Sequence, residues 1–273
     1  MENNTPVKNY HAGRKSPFSF SRLVFIFAII FLFLPLIVIT IYSFNDKKGM
    51  NWSGFSFRWY EKLFTSSPDL WRAFWNSFLI ALTSAATATI IGTMGAIGVN
   101  WYKFKLRSYV QAITFLPMIL PEIIIGVSLL IFFAGVGIKL GLASIFLAHT
   151  TFNLPFVFLM VMARLDEFDY SIIEAAKDLG ATELQTLLKV ILPVSMPGIV
   201  SGFLTAVTLS LEDFVITFFV SGPGSTTLPL YIYSMIRFGV SPVINALSVV
   251  MIAGTVILTL SLRKFLKFIA ANG

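Results

Sequence analysis

The sequence predicts an all-α integral membrane protein with six transmembrane helices, because of its composition and the lengths of its apolar runs. Apolar residues make up 56% of the 273 residues and charged residues only 12%, whereas about a quarter of the residues of a soluble domain are charged. The mean hydropathy is +0.83. Each apolar run is about as long as the roughly 20 residues that a helix needs to cross a bilayer. We place the spans at residues 23–44, 76–100, 110–133, 142–163, 197–220 and 243–262.

The first span follows a polar and basic segment, residues 1–22, which we expect to be an N-terminal tail. A cleaved signal peptide is the alternative interpretation. The apolar run is too long for a signal peptide and lacks a cleavage site of small residues, so the sequence favours an uncleaved first helix. At the other end, residues 263–273 are expected to form a second tail.

The loop between the first two spans, residues 45–72, is rich in aromatic side chains. Trp59 and Leu63 lie four residues apart, as do Tyr60 and Phe64, so each pair would share one face of a helix. This pattern predicts a short helix that lies at the membrane surface. Anchoring at the interface is its simpler role, and contact with a soluble partner is the alternative.

The next three spans differ in their small and polar residues. Small side chains along the second span would let helix backbones approach closely in lipid. In the third span, Pro117 and Pro121 predict a kinked or interrupted helix. The fourth span contains His149, which is far in sequence from the other histidine, so no metal cluster is expected. The small residues of the second span are Ala81, Ala85, Ala88, Gly92 and Ala96.

Residues 171–197, between the fourth and fifth spans, are predicted to form two short helices. Ser171 and Glu174 have the spacing of a capping box for the first helix, and Gly180 suits the left-handed residue that ends it.

The second of these helices has the same signals. Thr182 and Gln185 have the spacing of a second capping box, and Pro193 is expected to stop this helix. Both helices have an apolar face, which must be buried against the spans of this chain or against another protein.

The basic residues predict the orientation in the membrane. With six spans, the two tails, the loop at residues 101–109 and the segment at residues 164–196 lie on one side. That side has 13 Lys and Arg residues and the other side has 7. Because basic residues accumulate on the cytoplasmic side, both termini and the segment at 171–197 are predicted to be cytoplasmic.

This segment resembles the EAA loop in the membrane subunits of bacterial ABC importers. The shared pattern is Glu-Ala-Ala, three residues, Gly, nine residues, an aliphatic residue (Val190 here, usually Ile), one residue and Leu-Pro. The resemblance implies that the loop, residues 164–196 of a permease domain spanning 23–262, places a short coupling helix in a groove on an ATPase subunit. The alternative interpretation is that Glu174 only caps a helix and that the alanines only allow tight packing. The matching residues are Glu174, Ala175, Ala176, Gly180, Leu192 and Pro193.

Three carboxylates lie in the predicted spans: Glu122, Glu212 and Asp213. A charge in the middle of the bilayer costs about 2.5–3.5 kcal/mol on insertion scales, so such groups usually face a bundle interior or a water-filled path. Alternatively, each acid is protonated or bonds a Ser or Thr of a neighbouring helix. Nearby aromatic residues would make the path suitable for an organic cation, although packing is the simpler role of each one. They are Phe214, Phe218, Phe219 and Tyr231.

A second resemblance covers most of the chain after the N-terminal tail. Residues 209–224 (LSLEDFVITFFVSGPG), 228–230 (LPL) and 241–247 (SPVINAL) resemble the PotC-type permeases of spermidine/putrescine importers. That family often has two aspartates where this chain has Glu212-Asp213. The resemblance implies a type I importer permease fold in a bacterial inner membrane. It also implies a homologous PotB-like permease, two PotA-like ATPase subunits and an external PotD-like binding protein as partners. The EAA loop alone would fit importers of sulfate, iron, amino acids or sugars.

Several classes of function are disfavoured. The chain has no cysteine, and its basic residues lie beside apolar spans, not on one surface that could bind nucleic acid. It has no phosphate-binding Gly-Lys loop, so we expect no enzyme activity and no bound cofactor, with ATP and Mg²⁺ used by a partner ATPase. One alternative function is a secondary transporter or channel, with Glu122, Glu212 and Asp213 carrying protons or cations. Another is a membrane anchor that transports nothing.

Overall fold

The computed structural model describes residues 20–49, 51–102, 104–167, 169–237 and 241–272. In these ranges the chain is helical and contains no strand; one isolated β-bridge joins Asn45 and Phe55. Most of the predicted N-terminal tail, residues 1–19, lies outside the described residues. The α-helices are α1 (Phe20–Tyr42), α2 (Arg58–Thr65), α3 (Pro68–Trp101), α4 (Arg107–Ile119), α5 (Glu122–Gly135), α6 (Leu142–Asp166), α7 (Ser171–Asp178), α8 (Glu183–Thr186), α9 (Leu192–Glu212), α10 (Val215–Val220), α11 (Leu228–Arg237) and α12 (Pro242–Asn272).

The described residues divide into two compact units, and the smaller one contains α1, α2 and α12. The short helix predicted after the first span is confirmed as α2, and its Trp59 and Leu63 are both buried. The Trp59 indole donates a hydrogen bond of 2.6 Å to the carbonyl of Asn45. Helix α12 covers the predicted sixth span, and it continues as helix through residues 263–272, which were expected to be a tail.

The larger unit contains α3 to α11, and its core lies between α3, α6 and α9. The predicted stripe of small residues in α3 is buried, as expected. A Cβ atom on Gly92 would lie 3.0 Å from the side chain of Val157, and one on Gly198 would lie 2.8 Å from the carbonyl oxygen of Met160. Small residues therefore set the close approach of these three helices.

We expect Gly198→Ala to destabilise the protein, because the added methyl group would meet a helix backbone that cannot move easily. The overpacking should cost about 1–3 kcal/mol. Gly98→Ala is the matched control, since nothing lies within 4 Å of a Cβ atom there. It should be neutral or stabilise by up to about 1 kcal/mol, because alanine favours helix more than glycine does. Thermal unfolding of the purified assembly in detergent checks this difference, and equal melting temperatures of the two variants would contradict it.

Among the described residues, four helical segments are long and apolar enough to cross a membrane: Phe20–Tyr42, Pro68–Trp101, Leu142–Asp166 and Glu183–Glu212. Helices α4 and α5 form a fifth span if they are counted together, although a bend of 108° separates them. The predicted third span is therefore broken. The residues at the break, Leu120 and Pro121, are both extended, as expected for a proline and the residue before it.

The prediction that Pro193 stops a helix is wrong. A π-helical turn, residues Leu187–Ile191, connects α8 to α9, so that the fifth span begins at Glu183. Within the turn, the N–H of Leu192 donates to the carbonyl of Leu187, five residues earlier. Pro193 lies in the first turn of α9, where its missing N–H is tolerated.

The second half of the fifth span also differs from the prediction. The helix ends at Glu212, Asp213 is extended, and α10 starts at Val215. The following segment was expected to be a loop, but it contains the helix α11. The N–H of Leu228 in α11 donates a hydrogen bond of 2.8 Å to Ser77 in α3.

Candidate functional site

The first candidate region is α7 with the turn that follows it. The predicted capping box of Ser171 and Glu174 is wrong, because Ser171 is already the first residue of the helix. Instead, Asp169 accepts a 2.9 Å hydrogen bond from the N–H of Ser171. Hydrogen bonding to Ser171 holds the pKa of the Asp169 carboxyl below its usual value. Asp169 is therefore ionised at neutral pH, and its charge is favourable near the start of a helix. This support for α7 is present at neutral pH and is lost as the pH falls through that lowered pKa.

The end of α7 is built as the sequence predicts. Gly180 has a φ angle of +79°, in the left-handed region. The N–H of Gly180 donates to the carbonyl of Lys177 at 2.9 Å, and that of Ala181 donates to the carbonyl of Ala176 at 3.0 Å. This pair of bonds is a Schellman motif, so α7 ends sharply and its position relative to α8 is defined.

The capping box at the start of α8 is also confirmed. The N–H of Thr182 donates to the side-chain oxygen of Gln185 at 2.9 Å, and the N–H of Gln185 donates to the hydroxyl of Thr182 at 3.3 Å. The two short helices are thus held by local hydrogen bonds that the sequence itself specifies.

Apolar side chains of α7, α8 and the turn between them are exposed. Leu179 is 89% exposed, Leu184 63% and Ile172 48%. Glu174 and Ala175 are exposed on α7, and the Glu174 side chain forms no ion pair within the described part of the chain. Exposed apolar side chains on and beside two short helices are typical of a surface that contacts another protein.

The second candidate region is the place where the two broken spans meet. Helix α5 packs on α10, and a Cβ atom on Gly126 would lie 2.7 Å from the Phe219 ring. Glu122 is the first residue of α5 and Glu212 is the last residue of α9, and both are exposed. The Glu122 carboxylate lies close enough to Asp213 and, with a smaller effect, to Glu212 to experience their negative charges. The C-terminal end of α9 adds partial negative charge, so this surface attracts cations.

Asp213, the third predicted acid, is buried and hydrogen-bonded inside the protein. Its Oδ1 accepts from the N–H of Ile216 at 3.2 Å, and its Oδ2 accepts from the N–H of Thr217 at 2.9 Å and from the Thr217 hydroxyl at 2.7 Å. His149 Nε2 lies 3.1 Å from the same Oδ2. Asp213 therefore bonds a Thr further along its own predicted span, whereas Glu122 and Glu212 are exposed.

The predicted aromatic residues separate into two groups. Phe219 packs on α5, whereas Phe218 and Tyr231 line a cavity of about 450 Å³ at the N-terminal end of α3. Asp69 and Arg237 also line this cavity. Burial raises the pKa of the Tyr231 phenol, and the charge of Asp69 adds to this effect. Tyr231 is therefore neutral at physiological pH and offers its ring and its hydroxyl group.

The chain matches the family of binding-protein-dependent transport system inner membrane components over residues 88–270. A spermidine/putrescine transport system permease protein, PotC, of Haemophilus influenzae is 44% identical to it, over 85% of this chain and 91% of the relative. The chain belongs to this family. The putrescine transport system permease protein PotI of Escherichia coli K12 is 42% identical to this inner membrane component, over 80% of each chain. A solved bacterial ABC transporter that imports the polysaccharide alginate shares the fold, with a TM-score of 0.69 at 18% identity over 89% of this chain and 94% of that one.

Sequence reasoning missed three polar residues of this inner membrane component. His149 of α6 contacts Ser210 at the end of α9 and Thr217 of α10, at 2.6 and 2.9 Å. All three are buried. One signal was available, since His149 is an ionisable residue inside an apolar span and such residues usually have a partner. Which partner it has depends on the break in the fifth span, and the sequence pattern does not predict that break.

Proposed function

We propose that this inner membrane component is the permease subunit of an ATP-driven ABC importer for the polyamines spermidine and putrescine. The observation that supports this most directly is the meeting of two broken spans, where Glu122 and Glu212 present carboxylates at one surface. Relatives named as polyamine permeases are 42–44% identical to the chain. An importer of another small solute is the alternative, and uptake measurements distinguish the two.

The substrate path would begin at the cavity that Phe218 and Tyr231 line and continue towards the two carboxylates. A polyamine carries several ammonium groups on a flexible chain, so it needs a series of weak sites and not one tight pocket. Aromatic faces attract ammonium groups through cation–π contact, and Glu122, Glu212 and the C-terminal end of α9 attract them by charge. Asp213 contributes to this path indirectly, by fixing the backbone next to Glu212, and Phe219 by packing α10 on α5.

Helix α7 would connect the path to ATP hydrolysis. Its exposed Glu174 and Ala175, with Ala176 and Gly180, would dock on a partner ATPase that binds ATP and Mg²⁺. Leu192 and Pro193 lie where the π-helical turn joins α9. Motion of the docked helix would therefore reach the fifth span through a continuous helical connection. Nucleotide binding to the partner would shift the permease between inward-open and outward-open states.

The remaining partners follow from this arrangement. A homologous PotB-like permease would complete the path, with two PotA-like ATPase subunits on the cytoplasmic side and a PotD-like binding protein outside. The excess of basic residues supports cytoplasmic termini in the bacterial inner membrane. The coupling segment, residues 164–196, lies at one end of α3, because Leu184 and Leu188 of that segment line a groove with Trp101. The aromatic cavity lies at the other end, near Asp69, so the two would face opposite sides of the membrane.

Uptake of labelled spermidine and putrescine tests the substrate. The chain would be expressed with its partner subunits in cells that lack other polyamine importers, and unlabelled polyamines, amino acids and sugars would serve as competitors. We expect saturable uptake that only polyamines inhibit. If the complex is present in the membrane but takes up neither polyamine, the polyamine assignment is wrong, while membership of the importer family stands.

A further inference from the structure

The break in the fifth span lacks the residues that usually break a membrane helix. Residues 203–221 contain neither glycine nor proline, yet the helix ends at Glu212 and restarts at Val215. The break in the third span, in contrast, occurs at Pro121. The β-branched residues after Asp213 lower helix propensity only slightly. Something other than the local backbone preference must therefore keep the helix of the fifth span broken.

The side chain of Asp213 supplies part of the explanation. A break in a membrane helix leaves backbone N–H groups without their usual acceptors, and lipid offers no replacement. Here the two carboxylate oxygens accept from the N–H groups of Ile216 and Thr217. A buried carboxylate, however, is stable only if pairing and hydrogen bonds compensate for its lost hydration, and donors beyond its own turn add to this compensation.

His149 supplies that compensation and also contacts the other side of the break. Its Nε2 lies 3.1 Å from Asp213, in the break, and 2.9 Å from Thr217, after the break. Its Nδ1 lies 2.6 Å from the hydroxyl of Ser210, before the break. The ring is only 2% exposed, and it belongs to α6, a helix that crosses the core of the unit. One imidazole thus joins α9, the break and α10 to a fixed helix.

The hydrogen-bond roles are consistent with this arrangement. An ionised carboxylate only accepts, so Nε2 carries a hydrogen and donates it towards Asp213. In the neutral ring, Nδ1 then accepts from the hydroxyl of Ser210. Ser210 lies 3.4 Å from the hydroxyl of Ser84 in α3, which continues the polar contacts into a third helix.

We propose that His149 is a positioning residue that keeps the fifth span broken after Glu212. Without the donor of His149, Asp213 keeps only the donors of its own turn, from Ile216 and Thr217, and α9 and α10 join into one continuous helix. Because α5 packs on α10, this change moves Glu122 relative to Glu212. His149 itself touches no substrate and acts through the backbone that sets the positions of these two acids.

Two substitutions separate the contacts of His149. The amide of glutamine can reach the position of Nε2 and donate to Asp213, whereas the shorter asparagine reaches only the position of Nδ1 near Ser210. If the donor to Asp213 is the contact that matters, His149→Gln keeps the break and His149→Asn loses it. A general packing role would make the two variants equally harmful or rank them in the opposite order.

Spin-label distances in the assembled importer measure the break directly. The chain has no cysteine, so Leu204→Cys in α9 and Ser221→Cys after α10 give two unique labelling sites. In a continuous helix these sites would be about 26 Å apart. We expect His149→Asn to shift the distance distribution to that value, and the parent and His149→Gln to share a different one. Equal distributions for all three would overturn the proposal.

Uptake gives a second measurement, which rests on the proposed polyamine function, whereas the distances do not. His149→Asn should raise KM by at least about tenfold, and His149→Gln by no more than about threefold. Unchanged KM in His149→Asn, or a loss of maximal rate alone, would contradict a role in presenting Glu212. If the histidine variants fail to assemble, Asp213→Ala replaces them, because it removes the acceptor that His149 contacts. This variant should then shift the distance to that of a continuous helix, and an unchanged distance would overturn the proposal.

Discussion

Gly180→Val should reduce ATP-driven uptake by at least about tenfold, because it removes the turn that positions the coupling segment. Gly180 has a φ angle of +79°, and a side chain with a branched Cβ adopts this conformation only at a cost of about 1–2 kcal/mol. Nothing lies within 4 Å of a Cβ atom at this position, so the effect comes from the backbone and not from a clash. The Schellman motif would open, and α7 would lose its fixed orientation relative to α8.

Gly180→Asn is the matched control for this experiment. Asparagine tolerates the left-handed region far better than valine does, so this variant should keep most of the uptake. Transport rates would be compared at equal amounts of assembled importer. Equal uptake by the valine and asparagine variants would show that the turn does not transmit the ATPase motion. That result would favour a secondary transporter, in which α7 has no coupling role.

Removing the charge of the exposed carboxylates of Glu122 and Glu212 should have the other large effect on uptake. Glu122→Gln and Glu212→Gln each preserve the size of the side chain and remove one negative charge. We expect each to raise KM for spermidine roughly tenfold, which corresponds to about 1.4 kcal/mol of lost attraction. The double variant should lose more than either single one. Initial rates of labelled spermidine uptake over a range of concentrations measure the change.

Two controls make the carboxylate experiment specific. Glu212→Asp keeps the charge and should transport within about threefold of the parent, since most of the attraction depends on charge. Asp46→Asn removes an acid that belongs neither to the proposed path nor to the coupling loop, where it pairs with Arg58 on the surface. It should have little effect, because exposed ion pairs contribute little. If Asp46→Asn and Glu212→Gln reduce uptake equally, the acids act through general surface charge and not through a path.

The features that the sequence predicts correctly are those set by neighbours along the chain. The capping box of Thr182 and Gln185 and the left-handed Gly180 depend on residues at most five positions away. The buried small residues of α3 follow from helical spacing alone. The break before Glu122 follows from Pro121, because a proline restricts its own backbone and that of the residue before it.

The features that the sequence does not predict depend on distant contacts or on a choice between helix types. Pro193 would normally end a helix, but the π-helical turn before it lets the helix continue. The break at Asp213 has no local signal, since it is stabilised by His149, which is 64 residues away in sequence. For the same reason, the spacing of Glu212 and Asp213 indicated two acids on one path. Only the fold shows that one is exposed and the other buried.

The measurement that tests the central claim most directly is spermidine transport by the purified importer in proteoliposomes. This chain would be assembled with its partner permease, ATPase subunits and binding protein, with either an active ATPase or one that cannot hydrolyse ATP. We predict uptake that requires internal ATP and loaded binding protein and that stops with the inactive ATPase. Transport that continues with the inactive ATPase would contradict the claim that α7 couples this permease to ATP hydrolysis.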